Sequence, residues 1–244
     1  MNPFSYGTVV KEPYFFNRTE EVRRIVETLG GGNNLVLYAP RRYGKTSVVM
    51  KAMEALSAQG FVCIYFDFMT VYSRESFIEA FSRAVLKSQG NFSRAAQVFS
   101  KFVKGIRPKI AFDSGGAPEF SVDFTAPEIT DQSLESVLDL PDKLSSAKKK
   151  TIIVMDEFQD IARLNGGNFE SLLRSRIQHH AHVNYLFLGS RTHLLNDMFS
   201  NKNRPFYNSA ASMQLGALPE GETVDFLIDG FSRSHIALGR EAAT

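Results

Sequence analysis

The 244 residues contain no tryptophan and a single cysteine, Cys63. One thiol cannot close an intrachain disulfide, so nothing asks for an oxidising compartment and a reducing cytosol fits. Cys63 falls in the apolar run 61–68, which reads as a buried strand position. No window approaches the roughly 18 consecutive apolar residues of a membrane span. The first residues, Met1-Asn2-Pro3-Phe4-Ser5-Tyr6-Gly7, lack the basic-then-apolar order of a secretory signal. A cytoplasmic protein with no membrane segment is expected. Charge of one sign is also missing: 28 Lys and Arg stand against 26 Asp and Glu, net +2. Any contact with nucleic acid would need a local patch. No internal repeat or low-complexity stretch is present. What remains is ordinary for a globular chain, 43% hydrophobic and 22% charged, with 21 phenylalanines that read as core. The length suits one large or two small domains.

The most informative stretch is Ala39-Pro40-Arg41-Arg42-Tyr43-Gly44-Lys45-Thr46-Ser47, directly after the apolar run Leu35-Val36-Leu37-Tyr38. Only its first residue departs from the phosphate-loop pattern G-x-x-x-x-G-K-[ST]. A strand would deliver this loop and Lys45 would open a helix, turning backbone N–H groups toward the phosphates of a nucleotide. Lys45 would reach the β and γ oxygens and Thr46 would ligate Mg²⁺. Alanine at 39 adds a Cβ, which costs about 1 kcal/mol only if φ there is positive. A plain strand–turn–helix with a surface lysine carries the same letters.

Spacing predicts helices over Thr19–Leu29, Lys45–Gln59, Ser73–Lys87, Phe92–Val103, Ser133–Leu144, Phe169–His180, Thr192–Phe199, Pro219–Asp229 and Ser232–Leu238. Strands are predicted at Leu35–Ala39, Phe61–Phe68, Thr151–Met155, Asn184–Leu188 and Met213–Leu215. Alternating strands and helices imply an α/β fold with a parallel, helix-covered sheet. Between 89 and 150 the pattern changes: Lys109–Phe112 and Glu119–Phe124 flank Asp113-Ser114-Gly115-Gly116, a hairpin within an insertion. The run Lys148-Lys149-Lys150 reads as a solvated turn.

Thr151-Ile152-Ile153-Val154-Met155 ends in Asp156-Glu157, two acids where open α/β sheets place ligand chemistry. Asp156 would hold Mg²⁺, and Glu157 would orient or deprotonate an attacking water. The fourth strand ends in Gly189-Ser190-Arg191, so Ser190 either touches the γ-phosphate or lytic water, or caps the next helix. Arg174, Arg176, Arg191 and Arg204 are candidates for a charge-stabilising finger, with nothing to choose among them. His179, His180 and His182 lack a completing cysteine or carboxylate nearby and read as surface or helix-end residues.

With these pieces placed, the chain resembles the archaeal-type ATPases of the STAND group of P-loop NTPases. The residues that carry the resemblance run in order. Asn2–Gly7, Val9-Val10 and Phe16-Asn17-Arg18-Thr19-Glu20-Glu21 resemble the adenine-pocket segment; Pro40 to Ser47 resemble the Walker A phosphate loop. Asp156-Glu157-Phe158-Gln159 resembles the acidic Walker B motif, and Phe187-Leu188-Gly189-Ser190 the sensor strand, followed by Met198-Phe199 and Pro205-Phe206-Tyr207. The resemblance implies a three-layer sandwich with five strands in the order 5-1-4-3-2. It also implies nucleotide contacts from Val10, Arg18, Pro40, Arg41, Arg42, Tyr43, Gly44, Lys45, Thr46 and Ser47, and slow hydrolysis coupled to a switch. An arginine often found after the Pro-x-Tyr stretch is replaced here by Asn208-Ser209-Ala210. Family members continue into a lid and a winged helix. The expectation is therefore a core over 1–215 and the start of a lid over 216–244, in a fragment or shortened homologue.

Three functions stand open. One is an ATP-binding, Mg²⁺-dependent ATPase that works as a switch, with Glu157, Lys45 and Ser190 catalytic and Thr46 and Asp156 at the metal. Another is a nucleotide-binding interaction module with negligible turnover. The third is a DNA-associated ATPase module using Lys101, Lys104, Arg107 and Lys109. ATP or ADP is the expected ligand, and a protein or DNA partner would act through a further C-terminal region.

Overall fold

The computed structural model describes residues 4, 9–10, 14–112, 114–115, 118–125, 129–164 and 167–243. Helix α1 (Thr19–Gly30) leads to strand β1 (Leu35–Tyr38), then α2 (Lys45–Ala58) and β2 (Val62–Asp67). Next come α3 (Arg74–Lys87), α4 (Phe92–Phe102), the hairpin β3 (Ile106–Phe112) and β4 (Pro118–Phe124), and α5 (Asp131–Leu144). The chain continues through β5 (Thr151–Asp156), α6 (Gly167–Ile177), β6 (Val183–Gly189) and α7 (Thr192–Ser200). It closes with β7 (Ala211–Gln214), α8 (Glu220–Arg233) and α9 (Arg240–Ala243).

The main sheet runs β2-β5-β6-β1-β7, and every pairing in it is parallel. Counting its five strands in chain order, this is 5-1-4-3-2 read from the other edge. Alternate side chains go to opposite faces, as the pleat requires. Leu35 and Leu37 pack with α1 and α2 in one core, whereas Val36 and Tyr38 join a larger core with α3 to α7. Two apolar layers on one sheet make the three-layer α/β sandwich. The larger core is phenylalanine-rich, as the composition predicts. Phe66, Phe68, Phe77, Phe158, Phe187, Phe199 and Phe206 form a continuous chain of ring contacts with centroids 4.7–6.0 Å apart. Phe99, Ile106, Phe120 and Val122 of the 89–150 segment are buried in that same core.

Several expectations are corrected. Strand β2 is not buried throughout: it lies at the sheet edge, so Cys63, Tyr65 and Asp67 alternate as half-buried residues with buried Val62, Ile64 and Phe66. Pro219 caps α8 from outside instead of opening it, and α8 runs on to Arg233. No helix spans Ser232–Leu238, because His235 takes a left-handed φ of +59° and turns the chain. Both hairpin strands begin or end beyond their predicted limits; the expected turn residues 113 and 116 lie outside the described residues.

His180 is no surface residue either. Its ring is buried, with Nε2 3.1 Å from Asp139 Oδ1 and Nδ1 2.7 Å from the fully buried Tyr185 hydroxyl. A carboxylate only accepts, so the Nε2 proton points to Asp139. Arg176 also donates to Asp139 through Nε, at 2.9 Å, and through Nη2. Among the described residues no group of three His, Cys, Asp or Glu is arranged to hold a metal ion, and no helix is long and apolar enough to cross a membrane.

Candidate nucleotide site

Because the strands are parallel, their C-terminal ends share one edge, and the sequence-predicted residues meet there. Tyr38 hands over to the loop 39–44. Ala39 is fully buried and is absent from the positive-φ residues, so its Cβ carries no conformational cost. Arg42 (φ +69°) and Gly44 (φ +79°) make the left-handed turn instead. Gly44 is the N-cap of α2, and among the described residues no side chain caps the helix. The N–H groups of its first turn thus lie open at the loop, where the helix dipole favours an anion.

Lys45 is buried, with Nζ 2.6 Å from Asp156 Oδ1 and 3.2 Å from Glu157 Oε1. Asp156 Oδ1 also accepts from the Glu157 N–H at 2.8 Å, and Oδ2 accepts from the Tyr65 hydroxyl. Burial, followed by the Asp156 carboxylate, raises the Tyr65 hydroxyl well above the usual tyrosine range. Glu157 adopts φ +48°, ψ +43°, a left-handed turn uncommon outside glycine. Its Oε2 accepts three hydrogen bonds: from Gln159 Nε2 at 2.6 Å, Ser190 Oγ at 2.9 Å and Ser190 N at 3.2 Å. Burial alone would raise this carboxyl; Gln159, the Lys45 charge and both Ser190 donors outweigh it and hold it at about 2. Ser190 therefore does not cap α7, whose N-cap is Arg191.

A cavity of about 520 Å³ is lined by Pro40, Arg41, Arg42, Gly44, Lys45, Thr46 and Ser47 from the loop and α2. Asp67, Asp156, Glu157 and Ser190 face it from the strand ends. Burial pushes the Asp67 carboxyl up, and the neighbouring Asp156 and Glu157 charges add to this against Met69 N–H and Lys45.

A second cavity, about 420 Å³, adjoins the first across Arg42, Gly44 and Ser47. Its walls are mostly apolar: Val10, Tyr14, Phe15 and Phe16 on one side, Leu218, Phe226 and Leu227 on the other. The Phe16 and Phe226 rings stack at 4.5 Å, and Val10 N–H donates to Ser47 Oγ at 2.9 Å. Tyr43 also lines this cavity. Arg18 is buried between the two flanks. It donates to Gly216 O at 2.7 Å and Tyr43 O at 3.4 Å, and pairs with Glu21 at 2.6 Å. Of the expected adenine-pocket segment, residues 2–3 and 5–7 lie outside the described residues.

Not every expectation converges here. Arg176 is bound to Asp139, Arg204 to Glu170 at 2.8 Å, and Arg174 to Gln178 at 3.2 Å. Conversely, sequence reasoning missed Tyr65 and Asp67, hidden by reading β2 as wholly apolar. Their i, i+2 spacing at a strand's C-terminal end was the available signal. It also left Gln159 open, and nothing in its position pointed to Glu157.

Residues 15–231 match the model of an ATPase domain found predominantly in Archaea. The chain belongs to this family of P-loop ATPases. Among solved structures, this ATPase domain is similar to a Walker-type ATPase of Pyrococcus abyssi, with a TM-score of 0.66 and 18% identity over 99% of the chain. It is also similar to the ORC2 protein of Aeropyrum pernix in its ADPNP–ADP complexes (TM-score 0.57, 15% identity, 95% of the chain). Drosophila ORC bound to DNA gives a TM-score of 0.58 at 14% identity over 91% of the chain. At these identities the likeness concerns the fold. The ATPase domain spans 65%, 55% and 48% of the lengths of those three chains. No curated protein sequence matches it.

Proposed function

We propose that the domain binds ATP with its base in the apolar cavity and its phosphates over the loop 40–47, and hydrolyses it slowly in a Mg²⁺-dependent reaction. The observation that carries this reading is the convergence of Lys45, Asp156, Glu157 and Ser190 beside the open N-terminus of α2.

The chemistry of the lining suits a metal that arrives with the nucleotide. Three cations (Arg41, Arg42, Lys45) and three carboxylates (Asp67, Asp156, Glu157) face the phosphate cavity, so they balance. A triphosphate adds about four negative charges, and a dication would offset part of them. The Thr46 hydroxyl and the Asp156 carboxylate are hard oxygen donors in the same cavity and would hold it. When bound, Mg²⁺ would neutralise charge developing on the phosphate oxygens.

In this reading Lys45 exchanges a carboxylate partner for β and γ oxygens, and the α2 amides take the remaining charge. Glu157 orients the attacking water and accepts its proton, while Ser190 stays at the Glu157 carboxylate beside the γ-phosphate. We assign residues 1–215 to the catalytic core and 216 onward to a lid. A base in the apolar cavity would touch Phe226 and Leu227 of α8 as well as Val10 and Phe16, so occupancy would bias the position of α8.

Calorimetric titration with ATP and Mg²⁺ tests the reading. Binding by the wild type and none by Lys45→Ala supports it; no binding by the wild type refutes it.

A further inference from the structure

Gln159 is buried, 5% exposed, two residues after the acidic pair in the 3-10 turn Phe158–Arg163. A buried amide at that place has an apolar alternative of the same size, and Leu or Met would fill the volume without a polar atom to satisfy. The left-handed turn at Glu157 folds the chain back, so the Gln159 side chain returns to the Glu157 carboxylate and donates from Nε2 at 2.6 Å. The amide orientation follows from chemistry: a carboxylate accepts only, so the nitrogen faces it and Oε1 faces away. Oε1 is buried and has no hydrogen-bond partner among the described residues. What bounds it is Gly189, where a Cβ would stand 2.2 Å from Oε1 and 3.3 Å from Cδ. A methyl group at 189 would thus crowd the Gln159 amide, and glycine leaves a slot at the end of β6 in which that amide lies. The next residue, Ser190, donates twice to the same Glu157 oxygen. Three donors on Oε2 and Lys45 beside Oε1 fix the plane of the carboxylate.

We infer that Gln159 is a positioning residue which, seated in the slot left by Gly189, aims the Glu157 carboxylate at the lytic water. This rests on the reading of Glu157 as the residue that activates water, and it goes beyond that reading by naming what holds Glu157 and why position 189 is glycine. Gln159 touches no substrate. Its effect passes through Glu157, so it should act on turnover and leave nucleotide affinity alone.

The test uses three variants of the full chain. Gln159→Met keeps length and packing in the slot but removes the donor; Gly189→Ala keeps the donor but crowds it out; the third combines both. Steady-state phosphate release from ATP and ADP affinity by calorimetry are measured with each melting curve. We expect each single variant to lose roughly tenfold or more in kcat, with KM and ADP affinity within about twofold of wild type. The double variant should be no worse than the worse single, since both remove one bond. If Gly189→Ala does not fold, Gln159→Met carries the test alone. A Gln159→Met enzyme with kcat within about twofold of wild type, beside an inactive Glu157→Gln, overturns this inference and leaves the proposed function standing. So does a fall in kcat matched by lost ADP affinity. A wild type that releases no phosphate overturns both.

Discussion

Arg18 Nη2 donates to Gly216 O at 2.7 Å, joining the residue before α1 to the linker that leads into α8. The same guanidinium reaches Tyr43 O in the loop 39–44 at 3.4 Å and Glu21 at 2.6 Å. One buried cation thus holds both flanks of the apolar cavity and the loop between them. Replacing Arg18 by methionine keeps much of the packing but leaves two carbonyls without their donor, at about 1–3 kcal/mol. We expect Arg18→Met to lower the melting temperature and weaken ATP binding, because the two walls no longer keep their spacing. Calorimetry and a melting curve check this; unchanged affinity in a destabilised protein would limit Arg18 to a structural role.

Lys45 carries structural weight, since two carboxylates lie within 3.2 Å of its ammonium. Taking away the cation leaves buried acids uncompensated, on the order of 3–5 kcal/mol for a well-buried pair. Lys45→Met should therefore unfold at lower denaturant concentration, and adding Asp156→Asn should recover part of that loss. Neither variant should bind ATP. Full stability in Lys45→Met would mean that the acids do not depend on it.

Ala39 departs from the glycine of the phosphate-loop pattern, yet its backbone makes no use of a positive φ. Ala39→Gly should cost about 1 kcal/mol, through greater freedom of the unfolded chain and lost burial of the methyl group. Nucleotide affinity should not change. Tighter binding in Ala39→Gly would show that the Cβ does constrain the loop.

Away from the candidate nucleotide site, Asp139 supplies a pH effect of known sign. Burial would raise its carboxyl; hydrogen bonds from His180 and Arg176, with their charges, outweigh this and hold it at about 2, below the ordinary 3.8. A depressed folded value gives stability that is complete above about pH 4 and lost as the pH falls toward 2. For a carboxylate partly open to solvent the effect is on the order of 1–2 kcal/mol. Asp139→Asn should melt lower than wild type at pH 7, with the gap closing as the pH falls to about 2. A gap independent of pH would remove the charge from the explanation.

The Gly44-Lys45-Thr46 corner and the Asp156-Glu157 pair can be found in the letters because each is short and follows an apolar strand. Sheet order was accessible only through family resemblance, since strand spacing does not say which strands adjoin. Tyr65 and Gln159 were hidden for another reason: their partners are fixed by the sheet edge and by a left-handed turn, neither of which has a sequence period. His180 was misread because its partner Asp139 is 41 residues away, beyond any rule about faces of one helix. The apolar cavity joins residues near 15 to residues near 226, and only the folded chain brings them together.

Phosphate release by Glu157→Gln, compared with wild type at saturating ATP with Mg²⁺ and again with EDTA, bears most directly on the central claim. The expected result is ATP binding retained, release lost in the variant, and release by wild type abolished by EDTA. Release by Glu157→Gln at the wild-type rate would contradict it.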